Sequence, residues 1–293
     1  MTIFSSDKIV KTIIFVLIFL VFNCIPVKSE ELNVTVTILP QKYFVEKIGG
    51  SLVKVNVMVD KGSDPHTYEP KPSKMVALSN SDIYFTISLP LEKVWIEKIS
   101  GSNKKLKIIA MDKGLEKLGN EHHHNIKHDN LQEDPHTWLA PSRVRIMAEN
   151  IRDAFIKEDS ANRKMYQSNF LNFIKKINEV DSKIADVFLQ CKKEKLIFMV
   201  YHPSFQYFAK SFGLNQIAIE AEGKEPTPKE LQLLINTAKK ENIKTIFIEP
   251  QSSKKSAQFI AKAMGAKLLE VDPLSINWGD NLIKFAESIA CDE

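Results

Sequence analysis

One phrase occurs twice in the chain, as Asp64-Pro65-His66-Thr67 followed by Tyr68 and as Asp134-Pro135-His136-Thr137 followed by Trp138. Proline fixes its own φ and drives the preceding residue out of the helical region, so each phrase predicts a stiff turn that holds a histidine in place. A single copy would be ordinary turn chemistry, with Asp and Thr bonding nearby backbone. Recurrence of a five-residue pattern points instead to function. A third histidine, His202, sits in Tyr201-His202-Pro203-Ser204, and Asp272 precedes Pro273 in a similar setting. Three neutral imidazoles and a carboxylate form a four-coordinate set for a borderline ion, with Zn²⁺ the best match in ligand type and number. A hard cation would call for more oxygen. None of these residues has zinc-finger spacing, so His66, His136, His202 and Asp272 form a site only if distant turns converge. His122, His123, His124 and His128 make a second group, read either as an auxiliary weak capture site or as a solvated loop.

The elements that must bring these residues together are legible as an alternation. Residues 32–38, 53–59, 82–87 and 106–109 read as strands, with helices over 40–48, 72–79 and 91–99. Gly49-Gly50 ends the first of these helices. Strand and helix in turn argue for α/β architecture with mostly parallel sheets. The pattern stops in the polar stretch 119–133, which carries the second histidine group. From Arg143 to Lys193 the chain is helix-compatible, with a break at Asp159-Ser160. Tyr166, Phe170, Phe173, Ile174, Ile177, Ile184, Val187 and Phe188 mark one apolar stripe at three- and four-residue steps on the longer helix. Alternation then resumes: strands over 196–200, 216–219, 244–248 and 267–271, and helices over 205–212, from Thr227, over 254–264 and over 283–289. The expected organisation is a first metal-binding lobe over 30–158, a connecting helix over 159–193 and a second lobe over 194–293. His66, His202 and Asp272 each follow a strand, and ligands of open α/β sheets bind beyond the carboxyl ends of strands.

Lys8 and Lys11 precede an apolar run from Thr12 to Phe22, and Val27-Lys28-Ser29 offers a small-residue cleavage site. Residues 1–29 therefore read as a secretory signal peptide and the mature protein as periplasmic, with lipid attachment at Cys24 as the alternative. Export would let Cys191 and Cys291 pair, as disulfides persist outside the cytosol. Three lysines against Asp7 in this leader account for half of the formal charge of +4. What remains is too small to suggest a nucleic-acid partner.

Asp64-Pro65-His66-Thr67-Tyr68-Glu69-Pro70, Asp134 to Pro141, Tyr201 to Phe205 and Glu249-Pro250-Gln251, in that order, resemble the zinc-binding solute receptors of bacterial ABC importers. The resemblance covers essentially the whole mature chain. It implies two Rossmann-like lobes joined by one long helix, with Zn²⁺ carried in the cleft as the transported ligand. It also implies a monomer that hands the ion to a membrane permease driven by a cytoplasmic ATPase, with no catalysis. Metal-ligand roles pass to His66, His136 and His202. Manganese-binding relatives usually have a carboxylate at the third position, so His202 favours zinc, and Asp272 or water completes the shell. Zinc members often carry a disulfide from the C-terminal region, where Cys291 stands, to a cysteine near the Glu-Pro-Gln strand end; Thr245 occupies that second place here. The competing readings are a manganese receptor of the same family and a zinc hydrolase, since three histidines with an open fourth position can activate water. A hydrolase needs a base near that water, and the chain has no His-Glu-x-x-His and no nucleophile elbow.

Overall fold

The computed structural model describes residues 31–99, 101–119, 133–192, 196–220 and 224–290. The first half runs β1 (Leu32–Val36), α1 (Leu39–Gly49), β2 (Val53–Val57), α2 (Pro72–Ser79), β3 (Ile83–Thr86), α3 (Pro90–Ile99) and β4 (Lys107–Ala110). Two helices follow, α4 (Pro141–Glu158) and α5 (Arg163–Gln190). The second half runs β5 (Ile197–Val200), α6 (Gln206–Phe212), β6 (Asn215–Ala218), α7 (Pro228–Lys240), β7 (Thr245–Ile248), α8 (Lys254–Met264), β8 (Lys267–Glu270) and α9 (Trp278–Ala290). The result is two α/β lobes, each with its own sheet. Strand order is β2-β1-β3-β4 in one and β6-β5-β7-β8 in the other, and every ladder is parallel. The inner strands β3 and β7 are buried along their length, as apolar runs between two helical layers should be.

Local signals set the helix ends. Thr227 and Glu230 form a reciprocal capping box at the start of α7, which satisfies N–H groups the helix itself cannot. Gly213 and Gly265 end α6 and α8 in the left-handed conformation, both at φ 69°, where a side chain would be strained. The Gln41 side chain accepts from the N–H groups of Thr37 and Ile38 and donates to the Phe85 carbonyl, tying α1 to the ends of β1 and β3.

The 28-residue α5 is more than a spacer. Its stripe of Tyr166, Phe170, Phe173, Ile177, Val180 and Ile184 is buried and packs against α1, α4 and α9. The final helix begins earlier than expected, at Trp278 instead of Ile283. Gly279 lies ahead of the expected start and allows a close approach: a Cβ on it would stand 2.7 Å from Val180 Cγ2. Through this contact α9 lies along α5. Trp278 reaches the first half, with its ring 5.5 Å from that of Phe44, and its indole N–H donates to the Trp138 carbonyl at 2.7 Å. In the opposite direction the Trp138 indole donates to the Pro273 carbonyl at 2.8 Å. One apolar core therefore runs through both lobes, and a smaller one lies around α7 and α8.

Candidate metal centre

Three loops converge between the lobes. His66 follows β2, His136 follows the segment after β4, and His202 follows β5. Each turn is locked by a carboxylate. Asp64 accepts from the His66 N–H at 2.8 Å and from the Thr67 hydroxyl at 3.1 Å. Asp134 accepts from the His136 N–H at 2.9 Å. Glu249, at the end of β7, accepts from the Ser204 hydroxyl at 2.9 Å and the Ser252 hydroxyl at 3.2 Å, so it holds the His202 turn from the neighbouring strand.

The imidazoles come together. Ring centroids lie 5.6 Å apart for His66 and His136, 5.3 Å for His66 and His202, and 5.2 Å for His136 and His202. One ring nitrogen from each lies within 4.8 Å of the other two. For His136 and His202 the second nitrogen is taken by a carboxylate. His136 Nδ1 donates to Asp134 Oδ1 at 2.7 Å, and His202 Nδ1 to Glu220 Oε1 at 3.2 Å. Such a bond fixes the tautomer and leaves Nε2 as a lone-pair donor, the arrangement by which carboxylates orient metal-binding histidines. His202 Nε2 is buried and has no hydrogen-bond partner among the described residues. Buried polar atoms are normally satisfied, so this one has the signature of an atom that faces a ligand.

Electrostatics separate the three rings. An edge of His66 remains exposed, yet lost hydration in the cleft, then the neighbouring His136 and His202, push its pKa down to about 4. Burial likewise lowers His136, against the pull of Asp134. At His202 burial is again the largest single influence and disfavours charge, but the bond to Glu220 and the nearby Glu249 and Asp64 carboxylates outweigh it and raise the pKa. Burial raises Glu249.

Asp272, which shares the expectation for the fourth position with water, is not in this group. Its Oδ1 accepts from the Leu274 N–H at 3.0 Å and from Gln251 Nε2 at 3.4 Å, so the carboxylate caps its own Asp-Pro turn. His122, His123, His124 and His128 lie outside the described residues, as do the leader with Cys24 and the C-terminal Cys291. Cys191 is half-buried, with its sulfur 3.7 Å from the Ala290 carbonyl oxygen.

Residues 34–290 match the family described as zinc-uptake complex component A, periplasmic, or ZnuA. The chain belongs to this family. It superposes on a crystal structure of ZnuA with a TM-score of 0.82 at 38% identity, covering 89% of this chain and 98% of the other. It is 29% identical over 251 residues to the high-affinity zinc uptake system protein ZnuA of Bacillus subtilis, covering 82% of this chain and 77% of that one. It is also 27% identical over 255 residues to the zinc-binding lipoprotein AdcA of Streptococcus pneumoniae, covering 83% of this chain. The chain spans about half the length of the AdcA proteins it matches. The family is one of substrate-binding receptors.

Sequence reasoning missed two residues that shape the site. Glu220 lies two residues past β6, so the strand-end rule that found His202 could have found it. Tyr207 lies on α6 with nothing local to mark it. Tyr68 and Trp138, the aromatics that follow the two tetrads, differ in use: Trp138 is buried, its ring 5.2 Å from that of His136, whereas Tyr68 lies half-buried against Trp95.

Proposed function

We propose that this chain is an exported receptor that binds Zn²⁺ through His66, His136 and His202 and delivers it to the permease of an ABC importer. The carrying observation is the buried, unpartnered Nε2 of His202 within a group of three imidazoles. A tetrahedral ion with Zn–N distances of about 2.0–2.1 Å would draw the three nitrogens to roughly 3.4 Å apart. All-nitrogen donation favours zinc over manganese, which prefers carboxylate oxygen. We assign the fourth position to water, with Asp272 engaged in its own turn, and His122, His123, His124 and His128 to weak accessory capture. The ion is cargo and the protein acts as a monomer in the periplasm. No described helix is long and apolar enough to cross a membrane.

A three-histidine ion with a bound water could also hydrolyse a substrate. The carboxylates beside the rings have structural roles, Glu220 on His202, Asp134 on His136 and Glu249 on Ser204 and Ser252, which favours the receptor reading. Calorimetric titration of the mature protein with Zn²⁺ and Mn²⁺, each alone and in competition, tests the reading. One tight zinc site that manganese displaces poorly supports it. Tighter manganese binding, or no tight site in the His202→Ala-sensitive range, overturns it.

A further inference from the structure

Tyr207 stands on α6, five residues beyond His202, and is 1% exposed. Its hydroxyl crosses from the second lobe to the first and is used in both directions. It accepts from the Leu118 N–H at 2.9 Å and donates to the Asp134 carbonyl at 2.8 Å. Leu118 and Asp134 are themselves joined, Asp134 N–H to Leu118 carbonyl at 2.8 Å, and the next pair inward, Gly119 and Glu133, forms an antiparallel bridge. These four residues are the stem from which the histidine-rich segment departs. Arg143 braces the same place: its guanidinium lies 4.0 Å from the Tyr207 ring centroid and donates to the Glu116 carbonyl at 2.7 Å. Burial holds the Tyr207 hydroxyl in its protonated form, with its pKa at about 12.

Asp134 is also the residue whose carboxylate grips both the backbone N–H and the Nδ1 of His136. A continuous path of bonds therefore runs from the His202 turn through α6 and Tyr207 to Asp134 and His136, without passing through any ion. We infer that Tyr207 is a positioning residue that latches the His136 turn of one lobe to the His202 turn of the other, presetting that pair of ligands and anchoring the stem of the histidine-rich segment. Among the described residues no bond of this kind links His66 to the second lobe, so the preset pair is His136 and His202. A site assembled in advance binds more tightly because less ordering is left for the binding step.

The inference rests on the zinc-receptor reading for its affinity arm, and a metal-free arm tests it separately. Tyr207→Phe removes one oxygen and leaves the Leu118 N–H and the Asp134 carbonyl without their partner. The control is Tyr84→Phe, another buried tyrosine whose hydroxyl bonds Thr37 at 3.0 Å inside the first lobe. Titrated with Zn²⁺, Tyr207→Phe should bind on the order of tenfold more weakly, the low end for a residue behind a ligand, while Tyr84→Phe stays within about twofold. In the metal-free full chain, the Leu118 amide should exchange with solvent at least about tenfold faster in Tyr207→Phe and be unchanged in Tyr84→Phe. Equal weakening in both variants, or unchanged affinity with unchanged Leu118 exchange in Tyr207→Phe, would overturn the latch. Should the unsubstituted protein show no tight zinc site, the receptor reading fails and the Leu118 exchange alone decides the latch.

Discussion

The two Asp-Pro-His-Thr turns share four residues and differ in what the aspartate does. Asp64 spends both oxygens on its own turn, one on the His66 N–H and one on the Thr67 hydroxyl. Asp134 uses one oxygen twice, for the His136 N–H and for its ring nitrogen, and its other oxygen has no partner among the described residues. Burial goes with the difference, since Asp134 is fully buried whereas His66 keeps an exposed edge. The tetrad therefore specifies a backbone shape, and the surroundings decide whether the aspartate serves that shape or the imidazole. The buried turn is the anchored half of the site and the exposed turn the adaptable half.

Removing the proposed ligands themselves should produce the largest effects. His136→Ala should weaken zinc binding by more than about 100-fold, beyond the range for residues behind a ligand, and His66→Ala by less, because the exposed position can recruit water more easily. Calorimetry on both variants checks the ranking, and the reverse order would break the contrast. Next come the aspartates. Asp134→Asn should cost roughly 10–100-fold in zinc affinity, whereas Asp64→Asn gives up part of one local turn, about 1 kcal/mol or roughly fivefold. Equal losses would mean that the ring contact carries no weight.

Acid should then act through His202. Only neutral imidazole coordinates zinc, so a raised pKa makes a ligand vulnerable earlier as pH falls. His66 and His136 are lowered and stay neutral into acid, while His202 is raised over the ordinary imidazole range and protonates first. Affinity should be flat at alkaline pH and fall about tenfold per unit below the His202 pKa. Glu220→Gln, which removes the charge favouring protonation, should move the onset to lower pH. Titrations across pH 5 to 8.5 with an unshifted onset would sink this assignment. The aromatics that end each phrase should change stability and leave zinc affinity least affected. Trp138→Phe strands the Pro273 carbonyl and should cost about 1–3 kcal/mol of stability, whereas Tyr68→Phe removes a hydroxyl that stands beside Asp60 without a full hydrogen bond among the described residues and should change stability by less than about 0.5 kcal/mol in denaturant unfolding.

Most of the framework was legible because its signals are local. Period-two and period-three-to-four apolar spacing marked the strands and helices, Gly213 and Gly265 marked helix ends, and Thr227 with Glu230 marked a helix start. The three histidines were legible because proline stiffens the turns that carry them. What could not be read depends on tertiary distance. Gly279 has a loop-like composition and is explained only by Val180 lying against it. Asp272 has the residue type and strand-end position of a ligand, and its Oδ1 accepts from the Leu274 N–H of its own turn, a bond that depends on tertiary placement as well as on the Asp-Pro pair. Glu220 and Tyr207 act on residues 18 and 73 positions away, a relation that no window of sequence contains.

The exchange between Trp138 and Trp278 bears on how the molecule comes apart. Each indole donates into backbone belonging to the other half, and the aromatic core is continuous beneath them. Neither half holds a closed set of bonds without its neighbour, so the pair should melt as one body, with calorimetric and van't Hoff enthalpies in agreement. Heating would then yield a single endotherm, which zinc displaces upward as a whole.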